Sequence, residues 1–194
     1  MKFVRESLRE AEKILRKFLE TPGQLALCDS FVQEIVELYR RGGNLFVCGN
    51  GGSHCDSMHF AEEFTGRFRG NRKPLGALAL GDPSHVTCVS NDMGFEYVFS
   101  RQIEALGRNG DVLVALTTSG NSQNIALALE AAKRLGIRTV LLNGKDGGKV
   151  KGKADLEIII PGETSDRIQE MHMKIIHTLI ESVERELFPQ NYLS

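Results

Sequence analysis

A series of five short apolar runs, separated mostly by segments with a helical period, narrows the possible folds of this chain more than any other feature. The runs are residues 45–48, 75–80, 112–116, 137–142 and 156–160. Short apolar runs that alternate with amphipathic helices are typical of a parallel sheet with helices packed on both faces. We therefore expect an α/β fold in which the crossover connections are right-handed.

The two ends of the chain have helical patterns of different kinds. Apolar residues recur at helical spacing over residues 2–18 and again over 31–39, which predicts two amphipathic helices at the N-terminus. A wide apolar stripe over 165–187 predicts one long, well-buried helix. We expect residues 189–194 to form a loose tail.

Size and composition exclude several classes of protein. A chain of 194 residues with a net charge of -1 suits one domain and gives no reason to expect a nucleic-acid partner. No apolar run reaches the roughly 18 residues of a membrane-spanning helix, and residues 1–20 are too charged for a secretory signal. We expect a cytoplasmic protein with four reduced cysteines.

The segment after the third apolar run is rich in hydroxyl groups. Thr117, Thr118, Ser119 and Ser122 precede a helix that is expected to begin near Gln123. Unpaired backbone N–H groups and the positive end of the helix dipole attract an anion at such a position. One hydroxyl would suffice for an ordinary helix cap. Four exceed that need, so we favour a phosphate site.

A glycine-rich segment, residues 49–53, follows the first apolar run and precedes another expected helix. It would lie at the same carboxyl edge of the sheet as the hydroxyl-rich segment, where ligands of open parallel sheets bind. Its spacing matches neither the dinucleotide fingerprint nor the phosphate-binding loop of nucleotide hydrolases. By itself it is a weak signal of ligand binding.

Two helices carry groups that can transfer protons or bind a metal. His59 and Glu63 are four residues apart and share a helix face, as a base with its orienting partner, as two ligands of a metal such as zinc, or as an ordinary surface pair. The helical period does not separate Glu62 from Glu63. On the last helix Gln169 and His177 can face a common cavity.

His172 lies on the apolar side of the same final helix, beside isoleucines. At such a position a histidine of the core or of an interface is expected more often than a catalytic histidine. We therefore favour His177 over His172 as the functional histidine of this helix.

Five longer segments carry more than a local pattern: GNGGSHCDSMHFAEEFTGRF, VSNDMGFEYVFSRQIEALG, DVLVALTTSGNSQN, LNGKDGG and ADLEIIIPGETSDRIQEMHMKIIHTLIE. Together they cover nearly the whole chain and resemble the phosphoheptose isomerases of the sugar isomerase (SIS) family. The hydroxyl-rich segment is similar to SIS domains in general. The joint presence of His59, Glu63, Gln169 and His177 is specific to the isomerase branch.

The resemblance implies a three-layer α/β/α sandwich with a five-stranded parallel sheet, as a single SIS domain over residues 1–194. Helices of an N-terminal arm, 1–41, would pack in a homotetramer against a core of residues 42–188, with active sites at subunit interfaces. The implied reaction converts sedoheptulose 7-phosphate to D-glycero-D-manno-heptose 7-phosphate through an enediol. It would begin heptose biosynthesis for bacterial lipopolysaccharide or related glycans. No membrane or nucleic-acid partner is implied.

The same resemblance implies roles for individual residues. The phosphate would lie on Thr117, Thr118, Ser119 and Ser122. The sugar would be lined by Asn50, Gly51, Gly52, Glu63, Asn91, Asp92 and Gln169. Acid and base, expected on opposite sides of the sugar chain, would be Glu63 and His177. One zinc ion per subunit would be bound by His59, Glu63, Gln169 and His177.

Two other functions remain open from the sequence. A non-catalytic SIS protein, which senses a sugar phosphate or docks on a partner such as a replication initiator, would keep the phosphate loop but would not need Glu63 and His177. A zinc hydrolase would use the same four ligands and would release inorganic phosphate.

Overall fold

A sheet of five parallel strands lies at the centre of the structure, a computed structural model that describes residues 2–193. The strands are β1 (Leu45–Gly49), β2 (Ala77–Ala79), β3 (Val112–Leu116), β4 (Arg138–Gly144) and β5 (Leu156–Ile160). Their order across the sheet is β2-β1-β3-β4-β5, and every pair of neighbours is parallel. The expected five-stranded parallel sheet is confirmed.

Seven α-helices surround this sheet within residues 2–193. They are α1 (Lys2–Glu20), α2 (Gln24–Arg40), α3 (Gly52–Thr65), α4 (Pro83–Asp92), α5 (Val98–Leu106), α6 (Gln123–Arg134) and α7 (Ser165–Leu187). Short 3₁₀ turns span Phe95–Tyr97, Gly148–Val150 and Pro189–Tyr192. The two N-terminal helices and the long final helix agree with the sequence pattern.

The two faces of the sheet are covered by different helices. Helices α1, α2, α3 and α7 enclose one apolar core, which includes Phe31 and Phe60. Helices α4, α5 and α6 enclose the second core, which includes Phe99 and Leu129. Strands β1 and β3 are buried along their whole length. Burial on both faces explains why these strands read as continuous apolar runs, and it confirms the three-layer sandwich.

The second apolar run yields a shorter strand than the sequence predicts. Of residues 75–80, only Ala77–Ala79 form β2, which pairs with β1 alone because it is an edge strand. Two residues after its end, Gly81 adopts a φ of +102°. This left-handed conformation turns the chain away from the strand direction.

Helix α4 was not predicted, although the sequence carries a signal for it. The side chain of Asp82 accepts a hydrogen bond from the backbone N–H of His85 at 3.0 Å, and Pro83 occupies the first turn. An aspartate cap followed by proline is a common start of a helix. The helix matters for the site because Asn91 and Asp92 are its last two residues.

The prediction of a loose tail after residue 188 was wrong for residues 189–192, which form a 3₁₀ turn. The hydroxyl of Tyr192 donates to the carboxylate of Glu184 at 2.9 Å, and the side-chain amide of Asn191 donates to the carbonyl of Asn71 at 3.1 Å. A local pattern does not reveal these anchors, because the partner of Asn191 is remote in sequence. Ser194 lies outside the described residues.

The sequence predicted neither a membrane-spanning helix nor a disulfide bond. Within residues 2–193, no helix combines the length and the apolar character that crossing a membrane requires. The four cysteines are free thiols, as expected. Burial raises the pKa of the Cys28 thiol to about 11, which keeps that thiol protonated.

Candidate active site

The glycine loop and the hydroxyl loop meet at the carboxyl edge of the sheet, because the strands that precede them, β1 and β3, are neighbours. A reciprocal amide pair joins the two loops. The side chain of Asn50 donates to Oδ1 of Asn124 at 2.9 Å and accepts from Nδ2 of Asn124 at 2.8 Å. Asn124 is buried in the first turn of α6. Sequence analysis missed it, since an asparagine next to a helix start reads as a cap.

A cavity of about 310 Å³ lies between these loops. Its lining brings together most of the residues that the sequence assigned to the substrate. The lining residues are Asn50, Gly51, Gly52, Ser53, Leu116, Thr117, Thr118, Ser119, Ser122, Ser165 and Gln169. All four hydroxyls of the proposed phosphate site therefore face one space.

Ser165 is a lining residue that sequence analysis did not select. It is the first residue of α7, and its Oγ lies 3.0 Å from Oγ1 of Thr118. A second helix N-terminus therefore reaches the same cavity as the N-terminus of α6. In the sequence, Ser165 is recognisable as a serine at the start of the long final helix.

The conformation of the hydroxyl loop depends on Gly120. This residue has a φ of +66°, and a Cβ atom at its position would lie 2.0 Å from the carbonyl oxygen of Gly147. Only glycine fits this turn. The turn leaves Ser122 at the N-cap of α6, where its side chain makes no capping hydrogen bond. Its hydroxyl can therefore bind a ligand.

Asn91 and Asp92 are not among the lining residues of this cavity. Both lie at the exposed end of α4, where Nδ2 of Asn91 donates to Oδ1 of Asp92 at 2.8 Å. Their proposed contact with the sugar stays a prediction.

A second cluster joins His59, Glu63 and His177, which face one another from α3 and α7. Nε2 of His59 lies 3.0 Å from Nε2 of His177 and 3.4 Å from a carboxylate oxygen of Glu63. One potential ligand atom from each of the three residues lies within 4.8 Å of the other two. The structure thus brings both proposed proton-transfer residues to one point.

Glu62 and Glu63, which the helical period could not distinguish, have different environments in the structure. The Glu63 side chain is 14% exposed and points toward the two histidines, whereas the Glu62 side chain is 61% exposed. Glu62 instead contacts the other ring nitrogen, Nδ1 of His59, at 2.9 Å. A carboxylate at that position fixes the orientation of the imidazole ring.

Gln169 lies nearer to the cavity between the two loops than to this cluster. It precedes His177 by eight residues, which is about 12 Å along a helix. Its Nε2 lies 3.4 Å from Oγ of Ser53, and a Cβ atom at Gly52 would meet its amide at 2.7 Å. In this structure the cluster therefore contains three of the four predicted metal ligands, and the role of Gln169 as the fourth stays a prediction.

Burial shifts the pKa values of Glu63 and His177, the two proposed proton-transfer residues. It raises the pKa of Glu63, as does the neighbouring charge of Glu62. It lowers the pKa of His177, as do His59 and Lys174. The carboxylate becomes a stronger base and the imidazole is held neutral.

His172 lies in the core, as expected. Its Nε2 is 3.1 Å from the carbonyl oxygen of Asn143, and burial lowers the pKa of the ring to about 4. A histidine enclosed in this way stays uncharged and does not contact the candidate site.

Comparison with known proteins decides the family. The family model described as SIS domain matches residues 8–144. The phosphoheptose isomerase of Fusobacterium nucleatum is 53% identical over 181 residues, which cover 93% of each chain. The chain belongs to the phosphoheptose isomerases of the SIS domain family.

Solved structures of phosphoheptose isomerases share the fold over nearly the full length of the chain. The phosphoheptose isomerase GmhA from Neisseria gonorrhoeae has a TM-score of 0.86 at 34% identity, covering 94% of this chain and 97% of that chain. A phosphoheptose isomerase from Francisella tularensis has a TM-score of 0.88 at 31% identity, covering 95% and 97%. Membership in this family therefore rests on both sequence and structure.

The three-residue cluster of this phosphoheptose isomerase fold has the chemistry of a zinc site. Zinc prefers nitrogen and oxygen ligands in a tetrahedral arrangement, and catalytic zinc is held by three protein ligands with one position open. Two ring nitrogens that face each other at 3.0 Å, those of His59 and His177, require a shared proton or cation between them. The residues present therefore fit the metal that the sequence predicts.

Proposed function

We propose that this chain is an aldose-ketose isomerase that converts sedoheptulose 7-phosphate to D-glycero-D-manno-heptose 7-phosphate. The observation that carries the proposal is the placement of both candidate sites along α3 and α7. Gly52 and Gln169 line the phosphate cavity, while Glu63 and His177 lie further along the same two helices. Side chains on a helix lean toward its N-terminus. Glu63 and His177 therefore lean toward the cavity, an arrangement that suits a linear sugar phosphate with its phosphate in the cavity.

Neutral donors would bind the phosphate. Hydroxyl groups of Thr117, Thr118, Ser119 and Ser122 line the cavity at the N-terminus of α6. Backbone N–H groups and the helix dipole supply the positive potential. No permanent cation is needed at the loop itself, which favours release of the product.

Proton transfer would take place on one side of the sugar. The reactive atoms of Glu63 and His177 lie within 4.8 Å of each other, too close for a carbon chain to pass between them. The expectation that they stand on opposite sides is therefore not met in this structure. The sugar can lose a carbon proton to form a cis-enediol, and the enediol can gain a proton at the neighbouring carbon on the same face, so the observed arrangement suits the reaction.

The two residues would take different roles in the enediol mechanism. Glu63, whose pKa is raised by burial, takes the proton from the carbon next to the carbonyl and returns it to the neighbouring carbon. His177, whose pKa is lowered by burial, is neutral and would give a proton to the carbonyl oxygen and take one from the neighbouring hydroxyl oxygen. The negative charge that leaves Glu63 then lies on the enediol until the carbon proton is returned.

Zinc is the cofactor we propose, one ion per subunit, bound by His59, Glu63 and His177, with Gln169 as the further predicted ligand. Such an ion, when bound, polarises the carbonyl of the substrate. Glu62 keeps the His59 ring in place through its contact with Nδ1.

Removal of metal is expected to lower kcat by at least about tenfold, because the carbonyl would lose its polarising group. The measurement compares turnover after dialysis against a chelator with turnover after zinc is restored, with metal content determined in both samples. Full activity in protein that contains no metal would contradict the zinc assignment, while leaving the isomerase assignment in place.

Ser119→Ala is expected to raise KM about tenfold and to leave kcat within about twofold. The variant loses one hydrogen bond to a charged phosphate, a contribution of about 1.5 kcal/mol. Steady-state kinetics with sedoheptulose 7-phosphate provide the check, together with inhibition by inorganic phosphate. Ser182→Ala on α7 is the control, since its hydroxyl only bonds the carbonyl of Thr178. An unchanged KM would remove Ser119 from the phosphate site.

The test of the function itself is the product formed from sedoheptulose 7-phosphate by the purified protein. Aldose formation supports the isomerase. Release of inorganic phosphate would indicate a zinc hydrolase, and binding without turnover would indicate a non-catalytic SIS protein.

The remaining features of the proposal concern the cell and the assembly. We propose a cytoplasmic homotetramer that supplies heptose for lipopolysaccharide or related glycans. In it the N-terminal helices, 1–41, help to pack the subunits together, and residues 42–188 form the α/β core. The exposed apolar residues of α1 support this, since Phe3 is 82% and Leu8 is 68% exposed in the single chain. The free thiols suit a reducing compartment.

A further inference from the structure

A buried ion pair joins the loop after α3 to the end of α7. Nε of Arg72 lies 2.5 Å from a carboxylate oxygen of Glu184, and both side chains are 0% exposed. The carboxylate also accepts hydrogen bonds from the backbone N–H groups of Phe68 and Arg69 at 3.3 Å and from the Tyr192 hydroxyl at 2.9 Å. Four donor groups from two segments of the chain therefore converge on one carboxylate.

The guanidinium of Arg72 also binds the end of α3. Nη2 donates to the backbone carbonyl of Glu63 at 2.6 Å, and Nη1 donates to that of Phe64 at 2.9 Å. The last carbonyls of a helix lack partners within the helix, and a cation is favourable there. Arg72 thus holds the turn of α3 that carries the proposed catalytic carboxylate.

The same network reaches the second proton-transfer residue. Glu184 follows His177 by seven residues, which places the two side chains on one face of α7, two turns apart. Phe68, whose N–H is held by Glu184, lays its ring against the His177 ring, with centroids 5.9 Å apart and planes 31° apart. A shift of this loop would therefore release both Glu63 and His177.

We propose that Arg72 and Glu184, closed by Tyr192, are positioning residues that hold Glu63 and His177 in register for proton transfer. Replacing a buried ion pair with well-packed apolar residues is often neutral or stabilising, so stability alone gives little reason for this pair. The carbonyls that Arg72 binds belong to the turn of α3 that carries Glu63. The ion pair can therefore serve to position this turn. The inference rests on the proposed function.

Arg72→Lys tests the proposal, because lysine keeps the charge but lacks the fork that reaches Glu184, Glu63 and Phe64 together. The expected result is a loss of kcat of about 10- to 100-fold, as for other partners that orient reactive groups. KM for sedoheptulose 7-phosphate should stay within about twofold, because the phosphate cavity is not touched. The histidine NMR spectrum of the metal-free protein should show a shifted His177 ring signal.

Arg138→Lys is the matched control. Arg138 begins β4, which lies between β3 and β5 in the sheet, and pairs with Glu34 at 3.0 Å. The Arg138→Lys variant should leave both kcat and the His177 signal unchanged.

Tyr192→Phe is the milder second variant, since it removes one hydroxyl and leaves the ion pair in place. It should change kcat and the His177 signal in the same direction as Arg72→Lys, by a smaller amount.

Three outcomes would overturn the proposal. They are wild-type kcat in both network variants, lost kcat with an unchanged His177 signal, and an equal loss in Arg138→Lys. If Arg72→Lys does not fold, Tyr192→Phe decides between the same outcomes. Absence of aldose formation by the wild-type protein would instead defeat the proposed function, and the NMR comparison would still report on the network.

Discussion

Glu63→Gln is expected to lower kcat by about 10²- to 10⁴-fold, the range for loss of a general base. Glutamine has nearly the same shape as glutamate but cannot accept a proton from carbon. The Glu63 side chain is 14% exposed and its pKa is raised by burial, so water is a poor replacement for it. Turnover of sedoheptulose 7-phosphate measures the effect, and the thermal midpoint should stay within a few degrees of the wild-type value.

Glu62→Gln is the matched control for this prediction. Glu62 is the preceding residue, is 61% exposed, and contacts Nδ1 of His59. A glutamine oxygen can still accept a hydrogen bond from that nitrogen, so the expected loss is at most about tenfold. Should Glu63→Gln retain more than a few per cent of activity, or should Glu62→Gln lose more than it does, the assignment of the base to Glu63 is wrong.

His177→Ala is expected to lower kcat by about 10²- to 10³-fold, somewhat less than Glu63→Gln. The imidazole, whose pKa is lowered by burial, would no longer exchange a proton with the substrate oxygen. Because His177 also faces His59 at 3.0 Å, the variant should bind zinc more weakly. Kinetics at saturating zinc separate the loss of proton transfer from the loss of metal.

His85→Ala is the comparison variant for His177→Ala. His85 is a partly buried histidine of α4 whose Nε2 lies 2.9 Å from the carbonyl oxygen of Val98. It makes one local contact and should keep wild-type kcat. Activity of His177→Ala within tenfold of wild type at saturating zinc would exclude His177 from proton transfer.

The hydroxyl-rich part of the cavity between the two loops was predictable from the sequence because its residues are nearly contiguous. Thr117, Thr118, Ser119 and Ser122 follow one strand and precede one helix, so local patterns place their hydroxyls at a helix N-terminus. The parallel sheet then brings the glycine loop beside them, since the carboxyl ends of β1 and β3 are adjacent.

The second site was only partly predictable. Helical spacing placed His59 and Glu63 on one face, but it did not choose between Glu62 and Glu63. It also did not show that His177 comes within 3.0 Å of His59. These facts depend on how α3 and α7 pack. The apolar period of each helix does not show which of its residues face the other helix.

The network of Arg72, Glu184 and Tyr192 shows most clearly what local sequence patterns do not predict. Nothing local distinguishes Arg72 or Glu184 from the exposed charges around them, yet both are 0% exposed in the structure. Tyr192, expected in a loose tail, completes their network. Burial of a charge becomes visible only when its compensating partners are assembled from separate segments.

The sequence by itself determined the alternation of strands and helices, the hydroxyl-lined helix N-terminus and the family. These follow from short-range periodicity and contiguous motifs, which any stretch of chain expresses on its own. Only the tertiary structure decided which glutamate faces the histidines, where Gln169 points, and which buried charged pair binds the turn of α3 that carries Glu63. Such properties come from contacts between residues more than 100 positions apart, and the physics that selects them is burial, which has no meaning for an isolated segment.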